Sequence, residues 1–296
     1  MFTHSISFLG TGASCGVPSY YCGCKACAEA RVNPRAQRSC SALLVSGGEN
    51  TLIDAGPDLR TQLSQARVDT LTRAIFTHEH FDHIGGIAQF EYYVRLKSRE
   101  PLPIYASQET AQAIEQQFAF MLDALDIHRV EPWQTLEFDG IAYTALPATH
   151  SAGALGFLLE PNAAPDASLL QESRIEPEGS DTQGSDTQGS DMQSSTKRLA
   201  YFPDTGPLSP EVLERLRDID VLVIDATFNG NNWMPASHHS IDEAIILAQS
   251  LNAHQTYLTH LSMHYDEPIT TAELEAYLAP YQGTVVAAFD GLVISI

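Results

Sequence analysis

An α/β fold with helices covering the sheets is what the sequence predicts, on three observations. Short β-rich runs recur from "SISFLG" near the start to "LVISI" at the end. Between them lie helical patterns such as "SQETAQAIEQQFAFMLDAL" and "SIDEAIILAQSL". The scale fits as well, since 296 residues with 44% apolar side chains can bury a substantial core. Periodicity alone does not choose between a layered sandwich and a doubly wound sheet.

In chain order, "SISFLG", "SALLV", "TLIDAG", "RAIFT" and "IYA" read as strands, several of them closed by Gly, Asp or His. A helix follows from Ser107 through the first "DAL". Strands resume as "IAYTALPA", "GALGFLLE", "LAYFP" and "DVLVIDA". The helix after His239 opens with a capping box from Ser240 to Glu243, and "QTYLTH", "TVVAAFDG" and "LVISI" finish the chain. Residues 161–197 break this pattern with the tandem pentads "GSDTQ", "GSDTQ" and "GSDMQ", and hold seven acids against two bases. Such a segment has too little to bury and is expected to be a disordered acidic insertion between two strands of one domain spanning 1–296.

The formal charge of −21 repels polyanions, so a long nucleic acid is a poor partner. No stretch of eighteen apolar residues is present, and "MFTHSISFLG" lacks the basic start of a secretory signal, which leads to the expectation of a cytoplasmic protein with no membrane partner. The five cysteines are odd in number, and Cys22, Cys24 and Cys27 crowd into "CGCKAC". Thiolate metal ligands in a reducing compartment explain that spacing better than disulfides do. Cys15 and Cys40 have no partner at metal spacing and read as packing residues.

The chemistry concentrates in "FTHEHFDHIGG". His78, His80, Asp82 and His83 fall at i, i+2, i+4 and i+5, a spacing that suits neither a helix face nor a strand face. A polar turn capped by Asp82 would explain one or two of them. Four ligand-type residues in six positions point to a loop gathered around a transition metal. Further candidates stand at the ends of apolar runs: His150 in "LPATHS", Asp204 in "YFPDTG" and His260 in "YLTHLS".

With these motifs together, the chain resembles the metallo-β-lactamase-superfamily hydrolases. The resemblance runs through "FLGTGAS", "LIDAGPDLR", "FTHEHFDHIGGI", "LPATHS", "YFPDTG", "VLVIDAT", "LTHLS" and "AFDGLVI". It implies a four-layer αββα sandwich with a dinuclear site at one edge. By that resemblance His78, His80 and His150 bind one metal, Asp82, His83 and His260 the other, and Asp204 bridges them. Asp54 would support the ligand loop. The cofactors implied are two divalent ions, zinc or manganese, and a bridging hydroxide would attack the substrate.

Within the superfamily the chain is most similar to the phosphoribosyl cyclic phosphate phosphodiesterase of phosphonate degradation, which carries a zinc knuckle. On that likeness Cys22, Cys24, Cys27 and His238 would hold one structural zinc. The implied substrate is a small phosphate ester, cyclic or open, and a homodimer is compatible with it. That family's proton donor would fall at Phe228, so His264 and His239 stand in as catalytic candidates beside Asp82. "IDATF" and "PDLR" also resemble pyrroloquinoline quinone biosynthesis protein B, which offers an accessory role as the alternative, and ribonuclease Z-like endonucleases offer another.

Overall fold

Alternation along the strands decides which side of each sheet a residue serves. In β2 (Ala42–Ser46), Leu43 and Val45 belong to one core while Ala42 and Leu44 belong to another. In β11 (Val221–Asp225), Val221 and Val223 share the core used by Leu43 and Val45, and Leu222 and Ile224 enter a third. The computed structural model, which describes residues 4–162 and 197–296, therefore has apolar layers on both faces of both sheets. The middle layer lies between the sheets, and the outer two lie beneath helices, which makes the αββα sandwich expected from the sequence. Strands buried on both faces need apolar residues almost throughout, and "LAYF" and "VLVID" have them.

The first sheet contains β1 (Ser5–Gly10), β2, β3 (Asn50–Ile53), β4 (Arg73–Ile75), β5 (Leu102–Ala106), β6 (Leu125–Arg129) and the C-terminal β14 (Val293–Ser295). Its order is β14-β1-β2-β3-β4-β5-β6. The second contains β7 (Thr135–Phe138), β8 (Ile141–Pro147), β9 (Leu155–Pro161), β10 (Leu199–Phe202), β11, β12 (Gln255–Thr259) and β13 (Val285–Ala287), in the order β13-β12-β11-β10-β9-β8-β7. Each sheet is mixed. β3 runs parallel to β4, and β10, β11 and β12 are parallel to one another, so their carboxyl ends share an edge within each sheet. Loops leaving such ends are where α/β sheets place ligands.

Two expectations need correction. The helix begun by the Ser107 cap stops at Gln117, because "LDIHR" pairs with β5 from Leu102↔Leu125 to Ala106↔Arg129 and becomes β6. β7 was also missed, since only four residues carry it. The helix after His239 is present as Ile241–Ser250, with both hydrogen bonds of the Ser240–Glu243 capping box. The acidic insertion expected at 161–197 lies outside the described residues except at its ends.

Candidate metal centre

The loop after β4 turns into a single helical turn, Phe81–Ile84, and stops at Gly85 and Gly86. These glycines let the ligand loop dock on the loop after β3. The amide of Gly86 donates to the carbonyl of Ala55 at 2.7 Å and that of Ala55 to the carbonyl of His83 at 2.6 Å. A Cβ at Gly86 would collide with the carbonyl of Gly56, and one at Gly56 with that of Asp82. Close backbone approach is what glycine permits here.

Docking brings distant residues together. The ring nitrogens of His78, His80 and His150 form one compact trio, and Asp82, His83, Asp204 and His260 form an adjoining quartet, each group lying within 4.8 Å. His150 Nε2 stands 3.0 Å from His80 Nδ1. Asp204 faces both groups, with Oδ2 3.7 Å from His78 Nε2 and 2.5 Å from His83 Nε2, and Oδ1 3.0 Å from His260 Nδ1. All of these candidate donors except His80 and His150 are buried.

Four of these histidines are held from behind. Thr77 Oγ1 meets His78 Nδ1 at 3.0 Å, Asp54 Oδ2 meets His83 Nδ1 at 2.9 Å, the Ser237 carbonyl meets His150 Nδ1 at 2.8 Å, and Thr227 Oγ1 meets His260 Nδ1 at 2.8 Å. Asp54 also accepts from the Thr77 amide at 2.8 Å and from its hydroxyl. Asp54 and His260 adopt left-handed backbone, at φ 66° and 55°, a conformation that costs energy away from glycine and concentrates at functional sites. Asp225, at the end of β11, plays the same part as Asp54 on the opposite sheet. It accepts from Thr205 N, Thr227 N and the Thr227 hydroxyl, and its Oδ2 lies 2.8 Å from His238 Nδ1.

A cation fits this donor set. His78 Nε2, His83 Nε2 and both oxygens of Asp204 are buried and, although they crowd together, make no aligned hydrogen bond among the described residues, and burying such atoms unpaired is costly. Burial alone would raise the pKa of Asp204, but His260, His83 and His78 outweigh it and hold the carboxyl well below its usual range. For His83, burial works against charge, while Asp54, Asp204 and Asp82 overcome it and favour the protonated ring. An environment that stabilises a proton there also favours a metal cation. The site fits two such ions by the number and type of its donors.

Two of the predicted positions exchange places. His238 was expected with the knuckle cysteines, but its ring lies in the histidine pocket, parallel to His260 at 5.5 Å and edge-on to His150 at 4.7 Å. Conversely, His264 groups with Cys22 and Cys27 at metal-binding distance, while Cys24, the residue before α1 (Lys25–Val32), falls outside that trio. The cause is the path of residues 229–238, which folds back on itself through His238 N to Met234 O at 3.0 Å and Asn232 Nδ2 to His238 O at 2.9 Å. His239 does not face the pocket through Nδ1, which meets the Thr205 carbonyl at 2.7 Å. Sequence reasoning assigned Asp225 no role, and its signal was available as a carboxylate closing an apolar strand in "VLVIDAT", as Asp54 does in "TLIDAG". Cys40 is buried as expected, whereas Cys15 is exposed and accepts from Tyr21 Oη at 3.1 Å.

Residues 49–261 match the beta-lactamase superfamily domain. Over 98% of its length the chain is 26% identical to ribonuclease Z of Myxococcus xanthus, covering 97% of that protein. It is 25% identical over 96% of its length to an octanoyltransferase of Porphyromonas gingivalis, of which it spans about half (50%). Among solved structures, a diphosphatase from the PhnP family superposes with a TM-score of 0.76 at 22% identity, covering 99% of this chain and 97% of that one. Zn(2+)-bound PqqB from Methylobacterium extorquens superposes at 0.71 with 17% identity, covering 99% and 100%.

Proposed function

Because the chain belongs to the beta-lactamase superfamily and is a metallo-β-lactamase-type hydrolase, we propose that it is a dinuclear metal-dependent phosphodiesterase acting on a small phosphate ester. The observation that carries this reading is the convergence of seven donor side chains from four segments of the chain, with Asp204 facing both groups. His78, His80 and His150 would hold one ion, and Asp82, His83 and His260 the other. When bound, divalent cations supply an acidified water and a Lewis acid for the phosphoryl oxygens. Ribonuclease and diphosphatase among the relatives both name cleavage at phosphorus, which favours an ester of phosphate over a lactone or thioester.

The chain's own residues do the rest. Asp54, Thr77 and Thr227 hold the rings of His83, His78 and His260 by Nδ1, which leaves Nε2 of His78 and His83 free to bind a cation. His238 is the proton donor to the departing oxygen. Its Nδ1 is engaged by Asp225, which leaves Nε2 to carry and release the proton. Burial works against charge on His238, but its hydrogen bond to Asp225 prevails and keeps its pKa above the ordinary histidine value. This assignment replaces His264 and His239 in that role and accounts for Phe228, which packs against the His238 ring at 6.0 Å instead of donating. The cysteine corner, with His264 in place of His238, would take one structural zinc.

The test is metal content with turnover. Purified protein should hold about three metal ions per chain, and His80→Ala should abolish hydrolysis of bis(p-nitrophenyl) phosphate with its circular dichroism unchanged. Full activity in that variant would refute the proposal. Faster turnover of lactones or thioesters than of phosphodiesters would move the chemistry to carbonyl carbon.

A further inference from the structure

Beside the metal pocket a chain of aromatic rings leads outward from His238. Phe228 lies against His238, Trp233 meets Phe228 edge-on at 4.9 Å, and Tyr265 closes the group at 5.7 Å from Phe228 and 6.2 Å from Trp233. Phe228 is buried, yet Trp233 is 54% exposed. Trp233 is nevertheless fixed in place. Its loop is pinned by Asn229 Nδ2 to the Glu267 carbonyl at 2.8 Å, Asn232 Nδ2 to Glu243 at 2.7 Å and Met234 N to Asn232 Oδ1 at 2.9 Å. That same loop supplies His238 and the Ser237 carbonyl that orients His150. On the ligand loop, Phe81 between His80 and Asp82 is 64% exposed.

Packing on Phe228 and Tyr265 uses one part of the Trp233 ring and leaves the rest open to solvent beside the pocket, where it offers a contact surface. These rings are the apolar groups that border His238 on this side of the pocket. Resting on the phosphodiesterase reading, we propose that Trp233, backed by Phe228 and Tyr265, is a stacking platform for a planar aromatic ring, a nucleobase or aryl group, carried on the leaving-group side of the substrate. Any base has a π face to offer, so stacking selects a ring without specifying which one. The platform adjoins the proton donor, which places the ring on the alcohol that departs.

Two phosphate monoesters serve as probes: AMP, which carries a ring, and ribose 5-phosphate, which does not. In a Trp133→Phe background Trp233 is the remaining tryptophan, and AMP should quench its fluorescence while ribose 5-phosphate should not. As competitive inhibitors of bis(p-nitrophenyl) phosphate hydrolysis, AMP should bind about tenfold more tightly than ribose 5-phosphate. Trp233→Ala should erase that ratio and Trp233→Phe restore most of it. Quenching measures binding without turnover, so quenching by AMP in a protein that fails to hydrolyse phosphodiesters would sustain the platform and sink only the reaction. Equal inhibition by the two probes together with no quenching would overturn the platform, even with phosphodiesterase activity intact.

Discussion

The histidine pocket and the cysteine corner both gather metal-binding side chains, but they are built in opposite ways. In the pocket, four rings have Nδ1 held from behind by Thr77, Asp54, the Ser237 carbonyl or Thr227, and most of the donors are buried. In the corner, the Sγ of Cys27 receives the Ser19 amide at 3.4 Å, the three thiols otherwise neighbour one another, and the flanking Tyr20 is 95% exposed. Burial pushes the Cys27 thiol up to about 12, so it surrenders its proton only to a strong competitor such as zinc. The pocket owes its geometry to the fold. The corner has fewer such supports, so an ion bound there would contribute its binding energy to folding.

The largest expected break in this contrast comes from Asp54→Asn. Asn keeps the shape and an acceptor for Thr77 but removes the charge beside His83. Loss of an orienting partner of a metal ligand costs about 10–100-fold in metal affinity or activity. The expected outcome is a fall of that size in kcat/KM, partly recovered at high metal concentration, with the melting temperature nearly constant. An unchanged kcat/KM would mean that the fold does not preorganise the pocket through this carboxylate.

Cys27→Ser probes the other side and should act in the reverse order. Differential scanning calorimetry together with elemental analysis should show about one zinc lost and melting lowered by several degrees. The remaining kcat/KM should change less than in Asp54→Asn. The two regions are not wholly separate, because Tyr21 contacts His264 and His264 contacts Tyr265 beside Phe228. A fall in kcat/KM as large as that of the Asp54 variant would show that this aromatic path couples corner and pocket.

How far each region could be read in advance follows from where its residues sit in the chain. The clustering of the "HEHFDH" side chains was legible because the residues are local, although Asp82 and His83 stand on a helical turn and not in a loop. His150, Asp204 and His260 were legible because each follows an apolar strand, and parallel strands deliver their carboxyl ends to one edge. His238 and His264 were misassigned because both lie in loops, where proximity to a helix cap or a motif says nothing about the path. Folding of residues 229–238 back through Asn232 and Met234 decides that path, and these contacts depend on tertiary structure. The overlong helix after Ser107 failed for a related reason, since pairing of "LDIHR" with β5 overrides local helical preference.

The smallest effect should come from deleting residues 163–195. β9 and β10 pair antiparallel with Leu159 opposite Leu199, so the chain ends flanking the segment already lie side by side. Asn162 N is anchored to the Gly140 carbonyl at 2.8 Å, and Arg198 N to Asp220 at 2.9 Å, which fixes both ends without help from what lies between. Shortening a loop between fixed ends changes closure entropy only logarithmically, by about 0.6 kcal/mol per halving, and in the stabilising direction. The metal donors leave the opposite, carboxyl end of β10 at Asp204, the length of that strand away from Leu199. Deletion should therefore preserve kcat/KM and leave melting equal or slightly higher. A collapse in turnover with the fold retained would mean that this segment reaches the pocket, and that the pocket, like the corner, is completed by a part of the chain beyond its own strand ends.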